Sequence, residues 1–261
     1  MSDFLRADNI QVIYQTPKAQ TEAVRDVSFV VQKGQFVSIV GPSGCGKSTI
    51  LSCMAGLNTP QAGRITLEGK NIKNSPDKIG YMLQSANLMP WRAVWRNVTL
   101  GLEIQKKCDK ANLDYAASLL KKYDLWQFKE SFPSQLSGGM RQRVALIRTL
   151  ALKPQVLLLD EAFSALDYQT RVNVSCDVFE ILRRENKTIV MVTHDIPEAV
   201  SMSDVVIVLS KRPAVVQKRV EIALGSRDDN PIKRRTHPQF QWYFNSIWRE
   251  LMQDEKNFVP S

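Results

Sequence analysis

The chain has 261 residues, 44% of them apolar and 23% charged, a balance that suits a soluble globular protein of one large or two modest domains. It has no apolar run of about 18 residues and opens on the charged, polar stretch MSDFLRADNI, so neither a membrane span nor an export signal is expected. A formal net charge of +9 favours contact with nucleotide phosphates, acidic lipid headgroups or nucleic acid, and charge alone does not choose among them.

In chain order, NIQVIY and DVSFVVQ read as short strands, and the apolar run FVSIVG ends at the glycine-rich GPSGCGKST. The segment after it, KSTILSCMAGL, places Ile50, Leu51, Met54 and Leu57 at helical spacing. GRITLEG and KIGYMLQ are strand candidates. From about residue 85 to 152 the pattern turns helical; in NLDYAASLLKKYDL, for instance, Leu113, Ala116, Ala117, Leu120 and Tyr123 share one face. This reads as a helical insertion.

Strands resume with VLLLDE, TIVMVTH and VVIVLS, separated by the helix TRVNVSCDVFEILRRE and a short helix. Unbroken β-branched and leucine runs between helices predict parallel strands buried on both faces, hence an α/β body. Residues 226–261 carry a polar turn and then a helix bearing Trp242, Phe244, Ile247, Trp248 and Leu251. Roughly forty residues are too few for a core of their own, so this tail is expected to pack on the main domain, residues 1–225. Cys45, Cys53, Cys108 and Cys176 form no CxxC pair and the chain has 2 histidines, which predicts reduced thiols with neither a disulfide framework nor a zinc site.

GPSGCGKST, running Gly41, Pro42, Ser43, Gly44, Cys45, Gly46, Lys47, Ser48, Thr49, fits G-x-x-x-x-G-K-[ST] between a strand and a helix, the context a phosphate loop needs. Glycines let successive N–H groups converge on phosphate oxygens, and the following helix adds its positive end. Lys47 is expected to reach the β- and γ-phosphates and the Ser48 hydroxyl to bind Mg²⁺; Cys45 reads as a tolerated spacer. VLLLDE delivers Asp160 to the sheet edge, where it can help hold the Mg²⁺. Glu161, one step further, is placed to accept a proton from attacking water as a general base.

A second glycine pair lies in PSQLSGGMRQR. Ser137, Gly138 and Gly139 open the helix MRQRVALIRTLAL, another helix N-terminus attractive to anions. One chain cannot easily bring both loops to one phosphate, whereas two chains arranged head to tail can.

The ordered set GPSGCGKST, YMLQ, QLSGGMRQR, VLLLDE, SALD and VTHD resembles the ATP-binding subunit of ABC transporters over residues of about 10 to 225. The resemblance implies a P-loop NTPase (RecA-like) core with an N-terminal antiparallel β subdomain and an inserted helical subdomain, hydrolysing ATP with Mg²⁺ to drive transmembrane transport. It implies roles for Gln84 in sensing Mg²⁺ and nucleotide, for Ser137, Gly138 and Gly139 in closing over the γ-phosphate held by a second copy, and for Asp167 in communication across that interface. It further implies that His194 contacts the γ-phosphate and that Tyr14 stacks on adenine.

The partners implied are a second copy of the subunit, a separate membrane permease at the cytoplasmic face, and an extracytoplasmic solute-binding protein acting through that permease. NLMPWRAVWRNVTLGLE and THPQF resemble importers of nitrate, sulfonate and taurine. LMPWRAVW is a candidate docking surface, unless Trp91 and Trp95 simply pack in the core. Ala162, Pro197 and LIRTL depart from the family pattern without removing a catalytic group. A nucleic-acid-associated ATPase of the same class is the alternative; such proteins usually carry long coiled coils or duplicated cassettes, and with neither present no nucleic acid partner is expected.

Overall fold

The computed structural model describes residues 3–16 and 19–256. A sheet of four antiparallel strands has the order β2-β1-β4-β5, formed by β1 (Leu5–Thr16), β2 (Ala19–Val31), β4 (Ala62–Leu67) and β5 (Lys70–Asn71). The second sheet has the order β10-β9-β3-β8-β7-β6. Its strands are β3 (Phe36–Val40), β6 (Ile79–Met82), β7 (Val156–Asp160), β8 (Thr188–Val192), β9 (Val205–Leu209) and β10 (Val216–Glu221). They run parallel except for β10, which pairs antiparallel with β9.

Every residue of β3, β8 and β9 is buried, and alternate side chains of the six-stranded sheet serve different cores. Val37, Ile39, Val156, Leu158, Val190 and Val192 face the antiparallel sheet together with Ile50, Leu51 and Met54 of α1 (Lys47–Met54). Phe36, Leu157, Leu159, Ile189 and Met191 face the opposite way. That second core is covered by α2 (Val94–Val98), α3 (Leu100–Ile104), α4 (Lys110–Lys122), α5 (Gly138–Leu150) and α6 (Tyr168–Arg184). The period of two thus becomes two hydrophobic layers on one sheet.

A third cluster joins β9 and β10 to α7 (Ile196–Met202) and the tail. In the tail, α8 (Pro231–Arg235) precedes α9 (Phe240–Lys256). The face of α9 against the body is led by Tyr243 and Ile247, with Phe240, Phe244 and Leu251 beside them. Trp242 and Trp248 are 64% and 46% exposed; they fall on the helix's outer side, one position from the buried pair. The tail is also tied by charge. Asp204 accepts from Arg183 at 2.8 Å, from Arg227 at 3.0 Å and from the Phe36 N–H at 2.8 Å, and these donors hold its carboxyl below the usual range despite burial.

Candidate nucleotide site

β3 runs directly into the glycine loop, and Gly46 is the N-cap of α1 with φ of 120°. L side chains rarely adopt that conformation, and a Cβ there would stand 2.8 Å from the Ala23 carbonyl oxygen. The loop therefore lies against β2 because position 46 has no side chain. Lys47 is 5% exposed, and its ammonium donates to the carbonyls of Gly41 at 2.8 Å and Pro42 at 2.9 Å. Cys45, read as a spacer, is instead a packing residue. It is 1% exposed within the core between the sheets, and its sulfur would lie 2.9 Å from a Cβ on Gly41.

The Ser48 hydroxyl donates to Asp160 Oδ1 at 2.9 Å, and the Tyr81 phenol donates to Asp160 Oδ2 at 3.0 Å. Burial, then the Asp160 charge, pushes the Tyr81 phenol up to about 12, so it stays a donor at neutral pH. Sequence reading missed Tyr81; the signal was its place in KIGYMLQ, on the strand beside β7. Hydroxyl and carboxylate side by side form the hard oxygen set that Mg²⁺ takes, so the residues fit that ion.

Glu161 follows β7 with φ of 45°, and its N–H donates to the Val192 carbonyl at the end of β8 at 2.9 Å. This brings its Oε2 to 3.2 Å from His194 Nδ1. A cavity of about 290 Å³ opens here, lined by Ser43, Gly44, Gly46, Lys47, Ser48 and Thr49 of the loop, by Glu161, and by Tyr14, Thr21, Ala23 and Arg212. The Tyr14 hydroxyl lies 3.1 Å from Thr49 Oγ1 while the side chain stays 44% exposed. Arg212 is a lining residue that sequence reasoning did not find.

Gln84 makes no hydrogen bond to Ser48 or Asp160. It stands two residues past the end of β6, donates its amide to Ser164 Oγ at 3.0 Å, and is not a lining residue of the cavity. Nor do Ser137, Gly138 and Gly139 line it. Ser137 caps α5, its exposed hydroxyl accepting from the Met140 N–H at 3.2 Å. Gly139 also answers a packing need, since a Cβ there would stand 2.7 Å from Val174 Cγ2. Asp167 caps α6, and the Thr170 N–H, donating at 3.0 Å, holds its carboxyl low. The two tryptophans of LMPWRAVW divide: Trp91 is 72% exposed, whereas Trp95 packs edge-on against Trp126 with centroids 6.1 Å apart.

The ABC transporter family profile matches residues 24–164. This chain belongs to the ABC transporter family. Within it the chain is an ATP-binding subunit and an ATPase. An ABC transporter ATP-binding protein of Bacillus subtilis is 44% identical over 253 residues, covering 97% of both chains. The nitrate import ATP-binding protein of Synechocystis is 37% identical over 248 residues, 93% of each chain. A dimeric ATP-binding cassette in a post-hydrolysis state, bound to ADP and Pi, superposes with a TM-score of 0.72 at 29% identity, covering 84% of this chain and 99% of that one. Among the described residues no helix of the ABC subunit is long and apolar enough to cross a membrane.

Proposed function

We propose that this ABC subunit is the ATP-driven motor of an importer, working as a pair of copies at the cytoplasmic face of the membrane beneath a separate permease. Residues 1–225 form the ATP-binding domain with its helical insertion at about 85–152, and 226–261 form the tail. The observation that carries the reading is the convergence of three strand ends. β3 brings the glycine loop and β7 brings Glu161 to one cavity, while Asp160, also of β7, accepts from Ser48 of the loop and His194, after β8, stands 3.2 Å from Glu161. Ser137, Gly138 and Gly139 stand outside that cavity, which is the arrangement expected if they serve the nucleotide of the other copy.

Backbone N–H groups of residues 43–49 cradle the phosphates, with Lys47 leaving its loop carbonyls to reach the β- and γ-oxygens. Tyr14 offers its ring to adenine. Ser48 and Asp160 would hold Mg²⁺, with Gln84 as a further oxygen ligand, and the ion when bound would supply positive charge for the phosphates. Glu161 takes the proton of the attacking water, and His194, beside its carboxylate, orients that group and contacts the γ-phosphate. Closure of the pair over ATP and its reopening after hydrolysis pass through the helical insertion to the permease, with exposed Trp91 on the docking side.

The solute is nitrate, a sulfonate, taurine or a related small molecule delivered by an extracytoplasmic binding protein. The nitrate-import relative and the NLMPWRAVWRNVTLGLE stretch support this. The test is uptake by vesicles carrying the subunit with its copurified permease. ATP-dependent accumulation of one of these solutes is expected. A subunit that instead copurifies with nucleic acid, whose ATPase rises with DNA or RNA in a salt-sensitive way, would overturn the proposal.

A further inference from the structure

The nucleotide cavity is lined by a cation that the mechanism above leaves unused. Arg212 lies in the turn between β9 and β10, exposed, at the same cavity as Tyr14, Thr21 and the glycine loop. The turn is firmly built. Two residues on, Ala214 is fully buried and bridges Val24 of β2. Its N–H donates to Ala23 O at 3.0 Å, and its carbonyl accepts from the Arg25 N–H at 2.9 Å. Within the turn, Ser210 Oγ accepts from the Val215 N–H at 3.0 Å and lies 2.8 Å from the Lys211 carbonyl, to which it donates. Ala23 is the same residue whose carbonyl Gly46 packs against, so Arg212 is fixed to the strand that supports the phosphate loop.

Its charge has no answer among the described residues. Arg25 and Arg219, close by in sequence or on the same strands, pair with Glu22 and Glu221. Arg212 makes no hydrogen bond or ion pair among the described residues. The acidic residue lining the cavity, Glu161, is already engaged with His194. A guanidinium held at the edge of a cavity and left without a carboxylate is suited to an oxyanion brought by the ligand, which it grips through charge-assisted hydrogen bonds.

We propose that Arg212 is a nucleotide-binding residue that takes a phosphate oxygen of ATP and keeps hold of the diphosphate after hydrolysis. The inference rests on the reading of this cavity as the ATP site. Stacking of the guanidinium on adenine is the competing role, and it is separable by salt, because ion pairing to phosphate is screened whereas stacking is not.

Calorimetric titration of ATP and ADP into the full chain and its R212A variant, at about 0.05 M and 0.5 M salt, tests this. At low salt R212A is expected to bind both nucleotides about tenfold more weakly, with R212K recovering most of the loss and the penalty shrinking at high salt. Equal affinity of R212A and the parent chain would overturn the proposal. So would a loss that neither lysine nor salt changes, which would assign the residue to stacking. Lys47→Ala is the control for the site itself: if that variant binds ATP normally the cavity is not the ATP site, whereas its failure to bind with R212A unaffected counts against Arg212 alone. Unchanged melting of nucleotide-free R212A checks the fold.

Discussion

Nδ1 of His194 lies 3.2 Å from Oε2 of Glu161, joining the ends of two neighbouring strands, β8 and β7. The contact follows from the Glu161 N–H donating to the Val192 carbonyl, which extends the ladder one step past Asp160 and turns the carboxylate toward the histidine. Carboxylate and imidazole are thus placed by the sheet itself.

If Glu161 is the base, Glu161→Gln keeps the shape and the hydrogen-bonding capacity of the site while removing its basicity. ATP binding is expected to persist while phosphate release slows by about 10²- to 10⁴-fold. Light scattering at saturating ATP is expected to find dimers; monomers with unchanged turnover would refute the assignment.

Lys47→Ala removes the ammonium now shared between Gly41 O and Pro42 O. A hydrogen bond to a charged group contributes about 1.5–3 kcal/mol, so ATP binding is expected to weaken roughly 10- to 100-fold and turnover to vanish. Equilibrium titration and a phosphate-release assay read the two effects separately.

Gly139→Ala drives a methyl to 2.7 Å from Val174 Cγ2, where α5 meets α6. Overpacking of this kind costs about 1–3 kcal/mol. The urea midpoint is expected to fall with an unchanged slope, and Val174→Ala in the same chain to restore part of the loss.

Glu198, in α7, is 4% exposed; burial pushes its carboxyl up from the ordinary range to about 7, while the Thr193 hydroxyl donating at 2.5 Å opposes the shift. An acid with a raised folded-state value binds more protons folded than unfolded, so stability falls as pH rises from the unfolded value, about 4.5, to about 7. The decline is on the order of 3 kcal/mol. In Glu198→Gln the part of the pH dependence lying in that window is expected to disappear, as read from denaturant midpoints between pH 5 and 8.

Ile247→Ala is expected to destabilise by about 2–5 kcal/mol, because the residue is completely buried. Trp242→Ala, on the outer side of the same helix, is expected to stay within about 0.5 kcal/mol. Thermal melts of both variants decide which face holds the tail.

The parallel strands were legible because each is a run of apolar residues with no polar alternation, a pattern that survives any tertiary context. β10 was not, since VQKRVE alternates with charge and lies at the sheet edge with one neighbour; half of such a strand belongs to solvent. The tail helix and its packing on the body were legible, but which of its aromatics face inward is set by α7, β9 and β10, which the tail's own sequence does not contain. Lys47, Ser48, Asp160 and Glu161 could be named as candidates because their neighbours in sequence define them. Tyr81 and Arg212 reach the site from remote segments, Tyr81 from 79 residues before Asp160; KIGYMLQ marks a strand, but only the pairing of that strand with β7 shows that its tyrosine meets Asp160.

One strand separates the two ends of the molecule that matter most. β3 has five residues, all buried; at its first, Phe36, the backbone is grasped by Asp204 together with the tail's Arg227, and after its last, Val40, the phosphate loop begins. At about 3.3 Å per residue the span is roughly 16 Å of tightly packed chain. The tail and the phosphate loop are therefore tied to opposite ends of one short, fully buried segment.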